Sequence, residues 1–159
     1  MKILVLCTGN SARSILLESI LNRHGAAGGI RAFSAGSKPA GQVHPQSLRL
    51  LAERGYSTEG LRSKSWDEFA APDAPVMDAV ITVCGSAAGE TCPFWPGAPV
   101  RAHWGVEDPA AAAPANQPAA FETAYGKLLA RANALLAARP ETLDRAGLQA
   151  ALTRIGSIG

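Results

Sequence analysis

Short apolar runs that end at glycine or polar residues alternate along this chain with longer segments whose apolar residues recur at helical spacing. The first run, residues 3–6, is followed at once by Thr-Gly-Asn, which is typical of a strand buried on both faces of a parallel sheet. Residues 14–22 lack Gly and Pro and are mostly apolar, so they predict a helix that ends near Gly25. The chain is therefore expected to open with a strand, a tight loop and a helix.

Elements of the same two kinds follow. The pattern predicts further strands at residues 30–35, 79–83 and 100–102, and further helices at residues 44–55, from residue 65, at residues 118–139 and after Pro140. His44-Pro45 is a helix start signal and Gly55 a stop signal. Ser65 and Glu68 have the spacing of a capping box, which marks a short helix. Residues 84–99, interrupted by Gly and Pro, predict a long functional loop, and residues 110–120 predict a connector.

The alternation of strands and helices predicts the fold class. Sequential strands joined by helices form parallel sheets with right-handed crossovers. The 159 residues suit one domain, and 47% hydrophobic against 18% charged residues provides an ordinary core and excludes a disordered chain. We therefore expect a single α/β domain with about four parallel strands flanked by helices.

Charge and hydropathy exclude several partners. The chain has 15 Lys and Arg against 13 Asp and Glu, a formal charge of +2, and no basic run, so nucleic acid is not an expected partner. The first apolar run is too short for a secretory signal, and no segment approaches a membrane span. The expected compartment is the cytoplasm, where the three cysteines are kept reduced.

The loop after the first strand carries the candidate chemistry. It reads Cys7-Thr8-Gly9-Asn10-Ser11-Ala12-Arg13, and Ser14 opens the helix. The amides of such a loop, together with the helix dipole, form a cradle for a tetrahedral oxyanion, and Arg13 adds a two-pronged donor. Gly9 and Asn10 tolerate the left-handed backbone that a ring-shaped loop needs. Residues 7–14 are therefore predicted to bind an oxyanion.

The same field acts on the cysteine. A cysteine at a helix N-terminus beside an arginine titrates below the ordinary pKa of about 8.5. Cys7 is therefore expected to be an ionised nucleophile at neutral pH, and the Ser14 hydroxyl is placed to donate to its sulfur. A lone Cys and Arg at this spacing would be weak evidence, but the strand before the loop and the helix after it make the pattern specific.

Several segments together resemble the low-molecular-weight protein tyrosine phosphatase superfamily. They are residues 1–14, Phe33-Ser34-Ala35-Gly36 and Asp108-Pro109. Within it, Val83-Cys84, Glu90-Thr91-Cys92-Pro93 and His103-Trp104-Gly105 resemble the arsenate reductase branch. The resemblance covers residues 1–140 and implies a phosphatase-like fold with a phosphate-binding loop. Residues 141–159 are expected to be a C-terminal helical extension packed on the same domain.

The resemblance implies a role for each residue of the site. The family's nucleophile, oxyanion clamp and proton donor match Cys7, Arg13 and Asp108. The phosphatases follow their Asp-Pro with an aromatic residue that stacks on phosphotyrosine, whereas this chain has Ala110. The implied activity is the reduction of arsenate to arsenite, with phosphate and sulfate as competing oxyanions.

Two further cysteines would supply the electrons. Without a Gly-x-Gly-x-x-Gly after any strand, the protein can deliver two electrons by forming a disulfide. Cys84 follows the strand at residues 79–83 and is expected at the same sheet edge as Cys7, and Cys92 lies in the next loop. The resemblance implies that Cys84 attacks Cys7 and releases arsenite, and that Cys92 then captures Cys84. Thioredoxin, or glutathione with glutaredoxin, would reduce the product, and no tightly bound cofactor is expected.

The chain departs from the family at two places. Ala12 stands where a cysteine is common within the loop, and the interval from Cys84 to Cys92 is one residue longer than in thioredoxin-coupled relatives, which leaves the reductant open. A zinc site at Cys84, Cys92 and His103 is an alternative, although it has no Cys-x2-Cys pair and only three ligands. No metal is therefore assigned to these three residues.

A potassium site and two rival activities are also compatible with the sequence. Glu18, Asn10 and Ser34 match positions that hold a potassium ion in some relatives, but the remaining carboxylate does not align near Asp67, so the ion is not assigned.

A phosphomonoester phosphatase, in which Cys84 and Cys92 take no part in the reaction, is one rival function. A non-enzymatic oxyanion-binding module is the second.

Overall fold

Four parallel strands form the sheet in the part of the chain that the computed structural model describes, residues 1–85 and 95–158. They are β1 (Lys2–Leu6), β2 (Arg31–Ala35), β3 (Ala79–Thr82) and β4 (Val100–His103). Their order is β2-β1-β3-β4, and every neighbouring pair is parallel. The predicted parallel sheet is confirmed, and each strand begins and ends within one residue of its prediction.

The α-helices of the same ranges are α1 (Arg13–Gly25), α2 (Pro45–Glu53), α3 (Gln117–Ala137) and α4 (Arg145–Gly156). Local signals explain where they start. His44 Nδ1 accepts the backbone N–H of Gln46 at 3.0 Å, next to Pro45 in the first turn of α2. The carboxylate of Asp144 accepts the N–H of Gly147 at 2.7 Å and caps α4. In this part of the chain, no helix is long and apolar enough to cross a membrane.

Two short segments differ from their prediction. The helix expected from residue 65 is a single 3-10 turn, Trp66–Phe69, in which the Ser65 hydroxyl accepts the N–H of Asp67 at 3.2 Å. Such a short segment is typical of a 3-10 helix, whose hydrogen bonds join residues three apart rather than four apart. The expected connector at residues 110–120 contains two 3-10 turns, Pro109–Ala111 and Pro114–Asn116, and the start of α3.

Both faces of β1 are buried, as the apolar run at residues 3–6 predicted. Ile3 and Val5 face a large apolar cluster to which all the described α-helices contribute, whereas Leu4 and Leu6 face a smaller cluster that includes Phe69. These four strand side chains are at most 1% exposed. Each contributes about 1.5–3 kcal/mol through burial. The loop that follows β1 therefore starts from a rigid base.

The C-terminal segment packs on the edge strand β4. Trp104, which follows β4 and is fully buried, donates its indole N–H to the Leu152 carbonyl of α4 at 2.9 Å. The buried guanidinium of Arg131 donates to the carbonyl oxygens of Trp104, Gly105 and Ile158 at 2.9 to 3.2 Å. These contacts fix the segment after β4, which leads to the candidate site. A division of the chain at residue 140 stays a prediction.

Candidate active site

The candidate site lies where the order of the strands reverses. The chain passes from β1 to β2 on one side, while β3 pairs with β1 on the other. A crevice opens at such a point outside the carboxyl ends of the strands. The amide of Val83 donates to the Leu6 carbonyl at 3.0 Å. Cys7 and Cys84 follow these two residues directly, so they meet at this edge of the sheet.

Residues 7–13 form a loop whose carbonyl oxygens are held from outside. Backbone N–H groups of residues 38–44 donate to three of these oxygens at 2.9 to 3.0 Å, those of Thr8, Gly9 and Ser11. A trans peptide points its N–H opposite to its carbonyl, so the N–H groups that follow these carbonyls point toward the inside of the loop. No described residue accepts a backbone hydrogen bond from the amides of residues 10–12. The loop therefore presents a set of unpaired donors.

Asn10 makes the tight turn of the loop. It is fully buried and left-handed, at φ 46°. Its Nδ2 donates to the hydroxyls of Ser14 and Ser34 at 2.9 Å each, and its Oδ1 accepts the backbone N–H of Lys64 at 2.9 Å. Of the two residue types that tolerate such a backbone in this loop, Gly9 and Asn10, it is Asn10 that adopts a positive φ. The side-chain hydrogen bonds of Asn10 therefore stabilise its own left-handed backbone conformation.

The helix α1 begins directly after the loop. Its first turn contains no acidic residue, and Ala12 at the N-cap position offers no side-chain cap. The first amides of the helix therefore keep their partial positive charge, which favours an anion at this end. This is the geometry that the sequence predicted for residues 7–14, and oxyanion binding by these residues stays a prediction.

Cys7 lies at the base of the loop, where it is 6% exposed. A hydrogen bond with the Cys84 thiol raises the pKa of Cys7 above its ordinary value, and burial raises it further. The Arg13 charge and a hydrogen bond from Gly9 lower the pKa but do not outweigh these two causes. The predicted lowering of the pKa of Cys7 is therefore outweighed in this arrangement. The sequence motif shows the loop and its arginine, but not the second thiol.

Cys84 lies directly beside the loop. Its sulfur accepts the Thr8 N–H at 3.4 Å and lies 3.7 Å from Thr8 Oγ1. Cys84 is 3% exposed and hydrogen-bonds the Cys7 thiol, so the two sulfur atoms are neighbours in a buried pocket. The expectation that Cys84 lies at the same sheet edge as Cys7 is confirmed. Cys92, the third predicted cysteine, lies outside the described residues.

Arg13 and Asp108 lie together at the rim. Arg13 Nη1 donates to the Val106 carbonyl at 2.9 Å, and Nη2 lies 3.7 Å from Asp108 Oδ2. Arg13 Nε is buried, and no described residue accepts its hydrogen bond. Asp108 Oδ1 accepts the Ala110 N–H at 3.0 Å, and the Asp108 side chain is 43% exposed. The arginine therefore retains an unused donor near the loop, and a carboxyl stands beside it with access to solvent.

Comparison with known proteins agrees with this geometry. The sequence pattern of the low molecular weight phosphotyrosine protein phosphatase family matches residues 2–147. The chain belongs to this family. An arsenate reductase of Bacillus licheniformis is 36% identical over 107 residues, 67% of this chain and 73% of that protein. A glutaredoxin arsenate reductase of Synechocystis sp. is 32% identical over 108 residues, 68% of this chain and 78% of that protein.

A solved structure of the family supports the same assignment. It is described as an arsenate reductase in the phosphate binding state, and its sequence is 30% identical to this one. The superposition has a TM-score of 0.68 and covers 86% of this chain and 96% of that chain. The phosphatase-like α/β fold that the sequence predicted is confirmed, and these family relatives are arsenate reductases.

The three positions that the resemblance assigns to a potassium ion lie together beneath the oxyanion loop. The Ser34 hydroxyl donates to Glu18 Oε2 at 2.9 Å and accepts from Asn10. The structure adds Lys64, whose Nζ lies 3.4 Å from Ser34 Oγ and 3.9 Å from Glu18 Oε1. Burial raises the pKa of Glu18 and lowers that of Lys64, while the charge of each opposes the shift of the other. Lys64 could not be identified from the sequence, because one lysine in a polar Ser-Lys-Ser segment carries no periodic signal.

The zinc alternative involves His103. Its Nδ1 hydrogen-bonds the Thr82 hydroxyl at 2.8 Å across neighbouring strands. Among residues 1–85 and 95–158, no three His, Cys, Asp or Glu side chains come together as metal ligands. Cys92, the third ligand of this alternative, lies outside these ranges, so the zinc site stays untested.

Proposed function

We propose that this protein reduces arsenate to arsenite, with Cys7 as the nucleophile and Cys84 as the second thiol. The observation that carries the proposal is the contact between these two buried thiols beside the loop, in which no described residue accepts a backbone hydrogen bond from the amides of residues 10–12. An oxyanion held by the loop would be attacked by one thiol while the other waits within reach. The arsenate reductases among the relatives support the same reaction class.

In the first step, the Cys7 thiol passes its proton to an oxygen of the bound arsenate, and its sulfur attacks arsenic. A sulfur–arsenic bond forms, and one arsenic–oxygen bond breaks. Arg13 and the loop amides hold the remaining oxygens, because planar and inward-facing donors suit a tetrahedral oxyanion. Asp108, beside Arg13, donates a proton so that the departing oxygen leaves as water.

In the second step, the Cys84 sulfur attacks the Cys7 sulfur. A disulfide forms, the sulfur–arsenic bond breaks, and its electron pair stays on arsenic, which leaves as arsenite. Cys92 then attacks Cys84 and restores the Cys7 thiol, so that the final disulfide joins Cys84 and Cys92. One arsenate and two thiols thus give one arsenite, one disulfide and one water.

An external dithiol must then reduce the enzyme. Thioredoxin, or glutathione with glutaredoxin, is the proposed reductant, and the Synechocystis relative is named for glutaredoxin. A reducing compartment such as the cytoplasm suits a cycle that begins with free thiols. The reaction needs no tightly bound cofactor, since the cysteines carry both electrons.

A single-turnover experiment tests the proposal. Reduced enzyme is mixed with arsenate, and arsenite and remaining thiols are counted. The wild type should lose two thiols for each arsenite, and mass spectrometry should find a Cys84–Cys92 disulfide. Cys92→Ser should release one arsenite and stop with a Cys7–Cys84 disulfide, whereas Cys84→Ser should release none. Normal turnover by both variants would refute the thiol relay and leave a reductase that depends on Cys7 and glutathione.

A phosphatase is the second candidate, because the contact between Arg13 and Asp108 serves phosphate ester hydrolysis equally well. Ala110 offers no aromatic surface for phosphotyrosine, so phosphotyrosine peptides should be poor substrates. Hydrolysis of para-nitrophenyl phosphate should be weak but measurable, because its leaving group needs little protonation. Efficient peptide hydrolysis without thiol loss would favour the phosphatase, and binding of arsenate without any product would favour a binding module.

A further inference from the structure

A buried pair of opposite charges lies behind the oxyanion loop and takes no part in the proposed reaction. The Lys64 and Glu18 residues are 8% and 9% exposed. Three oxygen atoms surround the Lys64 ammonium: the Arg62 carbonyl at 3.1 Å, Ser34 Oγ at 3.4 Å and Glu18 Oε1 at 3.9 Å. Burying a charge is unfavourable unless such partners compensate it. The charge of Lys64 is therefore compensated by these three oxygen atoms.

The charge pair is connected to the tight turn of the loop. The Ser34 hydroxyl lies between the two, since it contacts the Lys64 ammonium, donates to Glu18 and accepts from Asn10 Nδ2. The backbone N–H of Lys64 donates to Asn10 Oδ1 at 2.9 Å. Lys64 therefore contacts Asn10 directly through its backbone and indirectly through Ser34. Asn10 in turn holds the left-handed conformation on which the shape of the loop depends.

A potassium ion does not fit this pocket. The oxygen atoms of Glu18, Ser34 and Arg62 that would coordinate it already converge on the Lys64 ammonium. An added ion would lie in contact with that ammonium, and the single carboxylate of Glu18 would have to balance two positive charges. Like charges in a poorly solvated pocket repel strongly. The positions that the resemblance assigns to potassium are thus present, but the ammonium group of Lys64 occupies the place of the ion.

We propose that Lys64 is a tethered cation that positions Asn10, and that oxyanion binding by this protein is consequently independent of potassium. Lys64 is a positioning residue, since it acts through Ser34 and Asn10. Tethering removes the entropic cost of capturing an ion, so the loop keeps its shape whatever monovalent salt is present. The inference rests on the oxyanion-binding part of the proposed function and not on arsenate reduction.

The experiment measures phosphate affinity as protection of Cys7 from iodoacetamide, read by peptide mass spectrometry in potassium or tetramethylammonium chloride of equal ionic strength. The wild type should show the same affinity in both salts. Lys64→Ala should bind phosphate about tenfold more weakly or worse in tetramethylammonium, because a charged hydrogen-bond partner is lost. Potassium or ammonium should restore much of this affinity by entering the space that the side chain leaves.

Two variants serve as controls. Lys64→Met fills a similar volume without charge, so it should bind weakly in both salts and should not be rescued. Lys2→Ala removes an exposed lysine at the opposite end of β1 and should behave as wild type. A merely structural role for Lys64 predicts equal losses in Lys64→Ala and Lys64→Met with no effect of the salt, and that result would overturn the proposal.

The melting temperature of the wild type provides an independent measurement if Lys64→Ala does not fold. If the protein bound potassium, its melting temperature would rise when potassium chloride replaces tetramethylammonium chloride, since a ligand of the folded state stabilises that state. We expect no change, and a rise specific to potassium would refute the inference. If the wild type binds no phosphate in either salt, the proposed function itself fails. If phosphate binds and Lys64→Ala binds it equally well without potassium, only the role of Lys64 fails.

Discussion

Gly36 offers a direct test of how the second strand holds the oxyanion loop. It follows β2 and packs against the start of the loop, where an added Cβ would lie 2.3 Å from the Thr8 carbonyl oxygen and 2.6 Å from that of Cys7. Gly36 cannot retreat easily, because its N–H donates to the Lys64 carbonyl and its own carbonyl accepts from Trp66, both at 2.9 Å. Gly36→Ala must therefore displace the backbone of the loop.

The size of the displacement sets the expected effect. An ordinary contact at 3.4 Å or more requires a shift of roughly 1 Å, and such overpacking costs about 1–3 kcal/mol of unfolding free energy. A misplacement of about 1 Å in reacting groups lowers rates by about 100-fold. We therefore expect Gly36→Ala to lose stability moderately and arsenate reduction severely.

Urea unfolding measures the first effect, and arsenite release with saturating reductant measures the second. Gly126→Ala is the matched control, because Gly126 lies exposed in α3 with no atom within 4 Å of an added Cβ. This variant should gain about 0.5–1 kcal/mol from its helical alanine and retain full activity. If Gly36→Ala is as stable and as active as the control, the packing of the second strand does not define the loop.

Three further substitutions give expectations of different kinds. Cys84→Ala removes the largest cause that raises the pKa of Cys7, so the pH profile of Cys7 alkylation should move to lower pH, and an unmoved profile would contradict the assigned contact. Arg131→Met leaves buried carbonyl oxygens without donors and should cost at least about 1–3 kcal/mol, seen as a lower urea midpoint. Arg13→Lys should weaken phosphate protection of Cys7 because an ammonium lacks the planar fork, and undiminished protection would remove Arg13 from the oxyanion site.

The strand, the loop and the helix that build the site could be predicted because their signals are local. An apolar run before Cys7, turn-forming residues after it and an apolar segment after Arg13 each report a neighbouring backbone conformation. The parallel sheet followed from the alternation of such segments. The position of Cys84 followed in turn, since residues at the ends of parallel strands share one edge.

The direction of the pKa shift of Cys7 could not be predicted, because it depends on a contact between residues far apart in the sequence. The motif shows the causes that lower its pKa, the helix end and Arg13, and hides the cause that raises it, the thiol of Cys84. Lys64 was missed for a related reason. Its importance comes from packing against Glu18 and Ser34, and no spacing in the sequence records that packing.

The contact between the two thiols places opposite demands on Cys7. A disulfide can form rapidly only if Cys84 lies within reach, yet the same proximity and burial raise the pKa of Cys7 and so reduce the share of its nucleophilic thiolate. Arg13 and the Gly9 amide oppose this effect, and they belong to the loop that receives the oxyanion. A raised thiol pKa also slows alkylation and stray oxidation, which follow the thiolate. Nearness to Cys84 therefore favours the second step of the proposed reaction at the expense of the first, and the positive charge of the loop is what keeps the first step accessible.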